Sequence, residues 1–284
     1  MKSCLENAYD LARQTPRRVV FPEWEAEAVV AARETLVSEG LCTPIPVTDP
    51  TDAQAAALIE GRGMKPGIAA RMLSRPMMRA AAMVAAGEAD AVVAGVETPT
   101  KKVLEAAGIA IGLAEGVSTA SSFFLMRFPD GRELIFSDCA VAVDPGVEEL
   151  VAIATASAAS AEKLLGRADV AMLSYSTGGS GVGPSVDRVR EAAERAGVMG
   201  PVQADAALNA TIASRKGVAA GNANVLIFPS LDAGNIAYKL CQELGGAQAV
   251  GPLLQGYRHP VCDLSRGARP DDIVASTALT LALL

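Results

Sequence analysis

Apolar residues recur along the chain in two alternating rhythms. Residues 3–14 and 25–39 space them every three or four positions, as helices do, and Gly40 ends the second run. Between these helices, Val19-Val20-Phe21 reads as a short buried strand, and residues 43–48 read as a second. Residues 52–60 and 66–74 form short helical patterns around the turn Gly61-Arg62-Gly63. A helix over 76–87 leads to the apolar strand 91–94, stopped by Gly95, and a further helix spans 100–107. This alternation of strand and helix predicts a doubly wound α/β unit.

From residue 118 the rhythm changes. Two strand patterns, 121–128 and 133–136, flank Pro129-Asp130-Gly131-Arg132, a hairpin turn by composition. A long helix over 147–165 follows, then strand 170–175, a glycine-rich loop and helix 186–196. Strand 225–228, helix 234–244, apolar stretches 249–254 and 260–264, and a helix from 270 complete the chain. The expected fold class is α/β, with two αβα domains and mostly parallel sheets. The second domain, 114–254, is expected as an insertion in the first, 1–113 plus 255–284. The return of the last helix to the first domain rests partly on a resemblance set out below.

Composition narrows the picture. Half of the 284 residues are hydrophobic but only 4% are aromatic, so the core is built from Ala, Val, Leu and Ile. Such side chains suit helices packed closely on a buried parallel sheet. Asp plus Glu number 32 against 25 Lys plus Arg, a net charge of −7. That balance argues against nucleic-acid binding, which runs on surplus basic charge. The five cysteines are scattered and form no CxxC pair, which fits a reducing cytoplasm. A single histidine, His259, leaves little for a histidine-based metal site or a Ser-His pair. No secretory leader and no membrane-spanning run are expected.

Three segments carry candidate chemistry. Ser174-Tyr175-Ser176-Thr177-Gly178-Gly179-Ser180-Gly181 joins a strand to a helix. Loops at the carboxyl ends of parallel strands are where α/β folds bind ligands. Glycines there let N–H groups converge on an anion, and the Ser176, Thr177 and Ser180 hydroxyls can donate to phosphate or carbonyl oxygens. No Walker lysine is present, so the loop is not a nucleotide P-loop. A flexible connection is the plain alternative. The second segment runs from Asp263 to Asp272. Arg266 sits in a Ser-Arg-Gly turn, and residues 255–270 hold three arginines against one aspartate. A guanidinium is the usual partner of phosphate, whereas Pro270-Asp271-Asp272 also reads as plain helix capping. In the third, Phe228 to Lys239, Gly234 and Asn235 lie near a helix start, where Asn235 reads equally as an N-cap. Gln203 and Asp205 read as polar strand-end residues beside the same loops. Cys139 has no nearby histidine to activate it and reads as a buried thiol, and His259 as a loop residue.

Taken in chain order, these segments resemble the phosphate acetyltransferase/butyryltransferase family. The resemblance is carried by Phe-Ser-Asp-Cys at 136–139, Ala-Met-Leu-Ser-Tyr-Ser-Thr at 171–177 and Gly-Asn-Ala-Asn-Val-Leu-Ile-Phe-Pro at 221–229. Gly-Asn-Ile-Ala-Tyr-Lys at 234–239, Gly-Pro-Leu-Leu-Gln-Gly at 251–256 and Asp-Leu-Ser-Arg-Gly at 263–267 continue it. It covers nearly the whole chain and is weakest at 45–75. The resemblance implies two α/β domains with the active site in the cleft between them, a homodimer, and reversible conversion of acetyl-CoA plus phosphate into acetyl phosphate plus CoA. Coenzyme A is then a substrate, with acyl-CoA, phosphate and acyl phosphate as the small-molecule partners. No permanently bound cofactor and no metal are implied.

By the same resemblance, Arg266 matches the arginine that grips the phosphate end of acyl phosphate. Asp272 matches the aspartate proposed to take the CoA thiol proton, with Ser265 beside them. The loop from Ser176 and Thr177 through Gly178, Gly179 and Ser180, with Gly234 and Asn235, matches the substrate-binding side. A thiol near pKa ~8.5 and an exposed aspartate near ~3.9 make a weak acid–base match. A low-dielectric surrounding narrows that gap. The thiolate then attacks the acyl carbonyl directly in a ternary complex, while loop N–H groups, hydroxyls and Arg266 stabilise the oxyanion and the departing phosphate.

The sequence also departs from the family pattern. An arginine expected after the Gly95 turn is Glu105 here, with Lys101 and Lys102 close by. The segment after Thr48 is short, Arg62 is the nearest stand-in for a second arginine, and Gly178 replaces a common lysine. Two alternatives therefore stand beside acetyl transfer: propionyl or butyryl transfer, and a diverged non-catalytic paralogue that binds CoA or acyl phosphate. A decarboxylating hydroxy-acid dehydrogenase would share the architecture, but it needs clustered metal carboxylates and a nicotinamide site that the sequence does not show.

Overall fold

The computed structural model describes residues 2–284. The chain divides into two compact units, residues up to Gly116 with Gly251–Leu284, and Val117–Val250. The boundaries expected from sequence were 113/114 and 254/255.

In the first unit, α1 (Cys4–Gln14), β1 (Arg18–Val20), α2 (Glu27–Ser38) and β2 (Thr43–Ile45) come first, then α3 (Asp52–Ile59), α4 (Pro66–Leu73) and α5 (Pro76–Ala85). Next are β3 (Ala91–Ala94) and α6 (Thr100–Ala106), which runs into a π-helical turn, Ala107–Ile111. In the second unit, β4 (Ser121–Arg127) and β5 (Glu133–Ser137) precede α7 (Val147–Leu165), β6 (Val170–Leu173), α8 (Pro184–Ala196) and β7 (Met199–Val202). Then come α9 (Ala204–Leu208), α10 (Ala210–Arg215), β8 (Val225–Ile227) and α11 (Leu231–Gly245). Strand β9 (Gln248–Gln255) carries the chain across the boundary to β10 (Val261–Asp263) and α12 (Pro270–Ala282).

Within the first unit the strand order is β2-β1-β3-β10-β9, parallel except for β9 against β10. The connections from β1 lead first to β2 on one side and later to β3 on the other. The carboxyl ends of β1 and β3 therefore form a switch point of the kind that receives ligands. Helix α12 packs on α1 and α2 and is buried from Ile273 to Ala282. It tolerates polar residues there because the Thr277 and Thr280 hydroxyls donate to the carbonyls one turn back, at 2.7 and 2.6 Å. Ser3 caps α1 through a reciprocal box with Glu6, worth ~1 kcal/mol.

The second unit orders its strands β4-β5-β8-β6-β7. β4 and β5 form the expected antiparallel hairpin, turned at Gly131 with φ +86°, and the other pairs are parallel. Its core is built around aromatic contacts: Phe124 stacks on Tyr238 at 4.3 Å, and Phe136 meets Phe228 at 5.2 Å. Strand β7 and helices α9 and α10 are additions to the sequence reading, which placed Asp205 at a strand end. Asp205 lies in α9. Likewise, α11 begins at Leu231 with Ser230 as its N-cap, so Asn235 is inside the helix and not its cap.

Candidate functional site

In the first unit, three parallel strands deliver polar groups at their carboxyl ends. Glu23, just after β1 and 9% exposed, turns its carboxylate onto the loop that follows β3. Its Oε2 accepts from the Gly95 and Val96 N–H groups at 3.0 Å, and its Oε1 from Glu97 and Thr98 at 3.0 and 2.5 Å. Four converging N–H groups satisfy the buried charge and fix the loop. Gly95 adopts φ +115°, and a Cβ there would stand 2.4 Å from the Leu264 carbonyl oxygen and 2.8 Å from Asp263 Oδ1. Only glycine permits that crossing.

Asp263 ends β10 and is 1% exposed. The Thr100 side chain stands beside its carboxylate and favours the charged form, while Oδ1 has no hydrogen-bond partner. Burial pushes its pKa up to about 6; the nearby Thr100 hydroxyl opposes the rise and the Glu23 charge adds to it. The next residue, Leu264, donates its N–H to the Ala94 carbonyl at 2.6 Å. Residues 265–268 then make a tight turn, closed by the Ala268 N–H on the Ser265 carbonyl at 2.9 Å, with Gly267 at φ +84°.

Ser265 and Arg266 are exposed on that turn. The three arginines of this region have separate fates. Arg258 donates through Nε to the Leu113 carbonyl at 3.0 Å. Arg269 places Nε 3.4 Å from Asp272 Oδ2. Arg266 has no partner among the described residues. Asp272 serves as a capping residue of α12: its Oδ2 accepts the Arg269 N–H at 3.1 Å, leaving Oδ1 without a hydrogen bond.

Glu105, where the resemblance led to the expectation of an arginine, pairs with Arg75 at 3.1 Å. Arg62 does not stand free as an anion ligand. Its guanidinium donates to the Ile109 and Gly108 carbonyls at 2.9 and 3.0 Å and so caps the π-helical turn. Lys101 and Lys102 are exposed at the start of α6.

In the second unit, the loop after β6 is a built network. Ser176 is fully buried, and its Oγ accepts the Gly181 N–H at 2.8 Å and lies 3.3 Å from Ser180 Oγ. Ser180 Oγ accepts the Thr177 N–H at 3.0 Å. The Thr177 hydroxyl donates to Gln203 Oε1 and accepts the Gln203 N–H, both at 3.1 Å. Lys216 binds Gln203 at 2.9 Å and Asp205 at 2.7 Å, joining α10 to the same cluster. The hydroxyls expected to face a substrate thus hold the loop shape. Gly178 takes φ +56° and donates to the Pro201 carbonyl at 2.9 Å, and Ser180 N–H donates to Thr177 at 3.1 Å. Across residues 176–181, the described hydrogen bonds leave the Gly179 N–H as the uncommitted donor.

Gly234 and Asn235 grip the segment after β5. A Cβ on Gly234 would stand 2.4 Å from the Asp138 carbonyl oxygen, and Asn235 Nδ2 donates to the Cys139 carbonyl at 3.1 Å. Asp138, 2% exposed, accepts N–H groups from Ala140, Val141 and Ala142 at 2.8–3.1 Å and the Ser122 hydroxyl. Cys139 is fully buried, and burial, with the Asp138 charge adding, raises its thiol pKa, which removes it as a nucleophile. His259 is exposed. Sequence reasoning missed Glu23, Asp138 and Asp263 as anchoring carboxylates. Their signal was an acidic residue at or within three positions of the end of an apolar strand.

The fold and these loops define an α/β protein with ligand-type loops at the carboxyl ends of parallel strands in each unit. The chain belongs to the Phosphate acetyl/butaryl transferase family, whose model matches residues 53–281. A phosphate acetyltransferase of Pseudomonas aeruginosa is 36% identical, over 95% of this chain and 44% of its own length. One of Paracoccus denitrificans is also 36% identical, over 97% of this chain and 98% of its own. The chain thus spans less than half of some relatives and nearly all of others. A solved phosphotransacetylase from Streptococcus pyogenes superposes with a TM-score of 0.91 at 33% identity, covering 98% of this chain and 97% of its own.

Proposed function

We propose that this protein is a phosphate acyltransferase that interconverts acetyl-CoA plus phosphate with acetyl phosphate plus CoA. The observation that carries the reading is Arg266: an exposed guanidinium, held on a glycine turn and left unpaired, three residues after a strand end and close in sequence to Asp272. The names of the full-length relatives support acetyl as the acyl group.

In the direction of acetyl-CoA synthesis, Asp272 Oδ1 takes the thiol proton of CoA. The thiolate sulfur bonds to the acyl carbonyl carbon, and the carbon–oxygen bond to phosphate breaks. The electron pair leaves with phosphate, whose developing charge Arg266 offsets. The reading needs no acyl-enzyme, and the buried Cys139 offers no thiolate for one. CoA is a substrate, and neither a permanent cofactor nor a metal belongs to this reading.

A homodimer belongs to it as well, supported by α11. Ile236, Leu240 and Leu244 recur every fourth residue and are 57%, 52% and 83% exposed. Lys239 and Glu243 run alongside on the exposed side, so an antiparallel second copy would set opposite charges against each other while covering the apolar ridge. A cytoplasmic location is supported by five cysteines that form no disulfide. Separately, no helix among the described residues is long and apolar enough to cross a membrane.

CoA-dependent consumption of acetyl, propionyl and butyryl phosphate by the purified protein, with Asp272→Asn as control, tests the activity and ranks the chains. The Arg75–Glu105 pair, standing where the family carries arginine, favours the second reading of a non-catalytic binding paralogue. Binding of CoA without turnover would select it.

A further inference from the structure

The mechanism makes no use of Asp263, yet this is the residue that the structure treats most unusually. It is 1% exposed, one of its oxygens lacks any partner, and no cation among the described residues pairs with it. The titratable groups that face it are Glu23 at the end of β1, Tyr257 from the turn before β10, and its neighbour Cys262. An asparagine would fill the same space without the cost of a buried, half-satisfied charge.

Two connections meet at this carboxylate. Its side chain faces Thr100 at the start of α6, at the end of the loop whose N–H groups Glu23 gathers. Through its own backbone it leads into Leu264, bonded to Ala94, and then into the turn that carries Arg266. Glu23 thus gathers residues 95–98, and Asp263 stands against the same loop, where a Cβ on Gly95 would be 2.8 Å from its Oδ1.

We propose that Asp263 is a positioning residue, whose ionised carboxylate registers residues 95–100 against the 265–268 turn and so sets where Arg266 meets a phosphoryl group. The inference rests on the acyl-phosphate reading of Arg266. Neutralising the carboxylate removes its repulsion with Glu23 and lets the two elements shift together, so the aligned state belongs to the ionised form. As pH falls through the range where Asp263 takes up a proton, alignment is lost.

The test uses the full-length protein and Asp263→Asn, Thr100→Val and Thr100→Ser. Asp263→Asn is expected to raise the KM for acetyl phosphate about tenfold at pH 7.5 and to leave the KM for CoA within about twofold. It also removes the acidic limb that the wild type shows near pH 6, whereas titration of the substrate itself persists in both. Thr100→Val shares the KM effect and Thr100→Ser restores it. Unchanged acetyl phosphate KM and an unchanged acidic limb in Asp263→Asn would overturn the proposal. A second readout is independent of turnover. Trp24, the single tryptophan, follows Glu23 and packs on the same core cluster as Val96 and Ala268. Its emission should titrate near pH 6 in the wild type and be flat in Asp263→Asn, and calorimetry with inorganic phosphate should show weaker binding in the variant. If the wild type lacks acyltransferase activity, the function reading falls. Equal phosphate affinity and equal Trp24 titration in both proteins would instead sink the positioning role.

Discussion

The Cα of Gly234 lies so close to the Asp138 carbonyl oxygen that a Cβ would stand 2.4 Å from it. This contact seats helix α11 on the segment that follows β5, and Asn235 adds its hydrogen bond to Cys139 one residue further on. Gly234→Ala must push backbone against backbone, because the obstructing atom is a carbonyl and not a flexible side-chain end. We expect a loss of ~1–3 kcal/mol in urea unfolding, with the overpacking cost concentrated in the second unit. A change below ~0.5 kcal/mol would mean that α11 shifts freely.

Thr177 gives a polar counterpart. Its hydroxyl both donates to Gln203 and accepts the Gln203 N–H, so Thr177→Val strands a backbone donor. The expected cost is ~1–3 kcal/mol of stability. Thr177→Ser keeps both bonds and should recover most of it, as thermal melts of the two variants would show.

Arg266 and Arg62 should separate binding from stability. Arg266 is exposed and unpaired, so Arg266→Gln should leave the melting temperature within about a degree. Loss of one charge-assisted contact predicts a roughly ten- to hundredfold fall in kcat/KM for acetyl phosphate. Arg62→Gln should do the reverse, lowering stability by ~1 kcal/mol through the lost carbonyl cap while kinetics change little. Kinetic effects appearing in Arg62→Gln instead would reassign the phosphate ligand.

Asp263 makes stability depend on pH in a definite direction. Its folded pKa, about 6, lies above the 3.8 of the free side chain, so the folded protein binds this proton more tightly. The group therefore favours folding below about pH 4, and that contribution is lost as pH rises to about 6. Asp263→Asn carries no such charge and should gain on the wild type across that window, by up to ~3 kcal/mol at 1.36 kcal/mol per pH unit. Urea titrations at pH 4 and pH 7 measure the difference. A stabler but less active variant is what a charge kept for alignment predicts.

The α11 ridge is checked by sedimentation. Leu240→Glu should convert a dimer to a monomer at micromolar concentration with the melting behaviour of each unit retained. A wild-type monomer would leave the ridge without the proposed partner.

Much of the architecture was legible in local pattern. The span of α7 is as periodicity predicts, and the hairpin turn at Gly131 follows from its residues. Strands β3, β6 and β8 announce themselves as apolar runs bounded by glycine or polar residues. By contrast, β7, α9 and α10 passed unseen, because β7 carries glycine and proline and the two helices are five and six residues long. Short elements take their stability from the surface they pack on, which a local window does not contain.

The same division holds for the candidate site. The sequence by itself determined that glycine turns and hydroxyl-rich loops follow apolar strands, and that Ser265, Arg266 and Asp272 stand together in the chain. Only the tertiary structure decided which of these groups remain available. It committed Ser176, Thr177 and Ser180 to one another, Arg62 to carbonyls and Arg258 to Leu113, and it left Arg266 and the Gly179 N–H unclaimed. It also brought Glu23 and Asp263, 240 positions apart in the chain, to one loop. Hydrogen-bond capacity is used up by neighbours in space, and parallel strands choose those neighbours from distant parts of the chain.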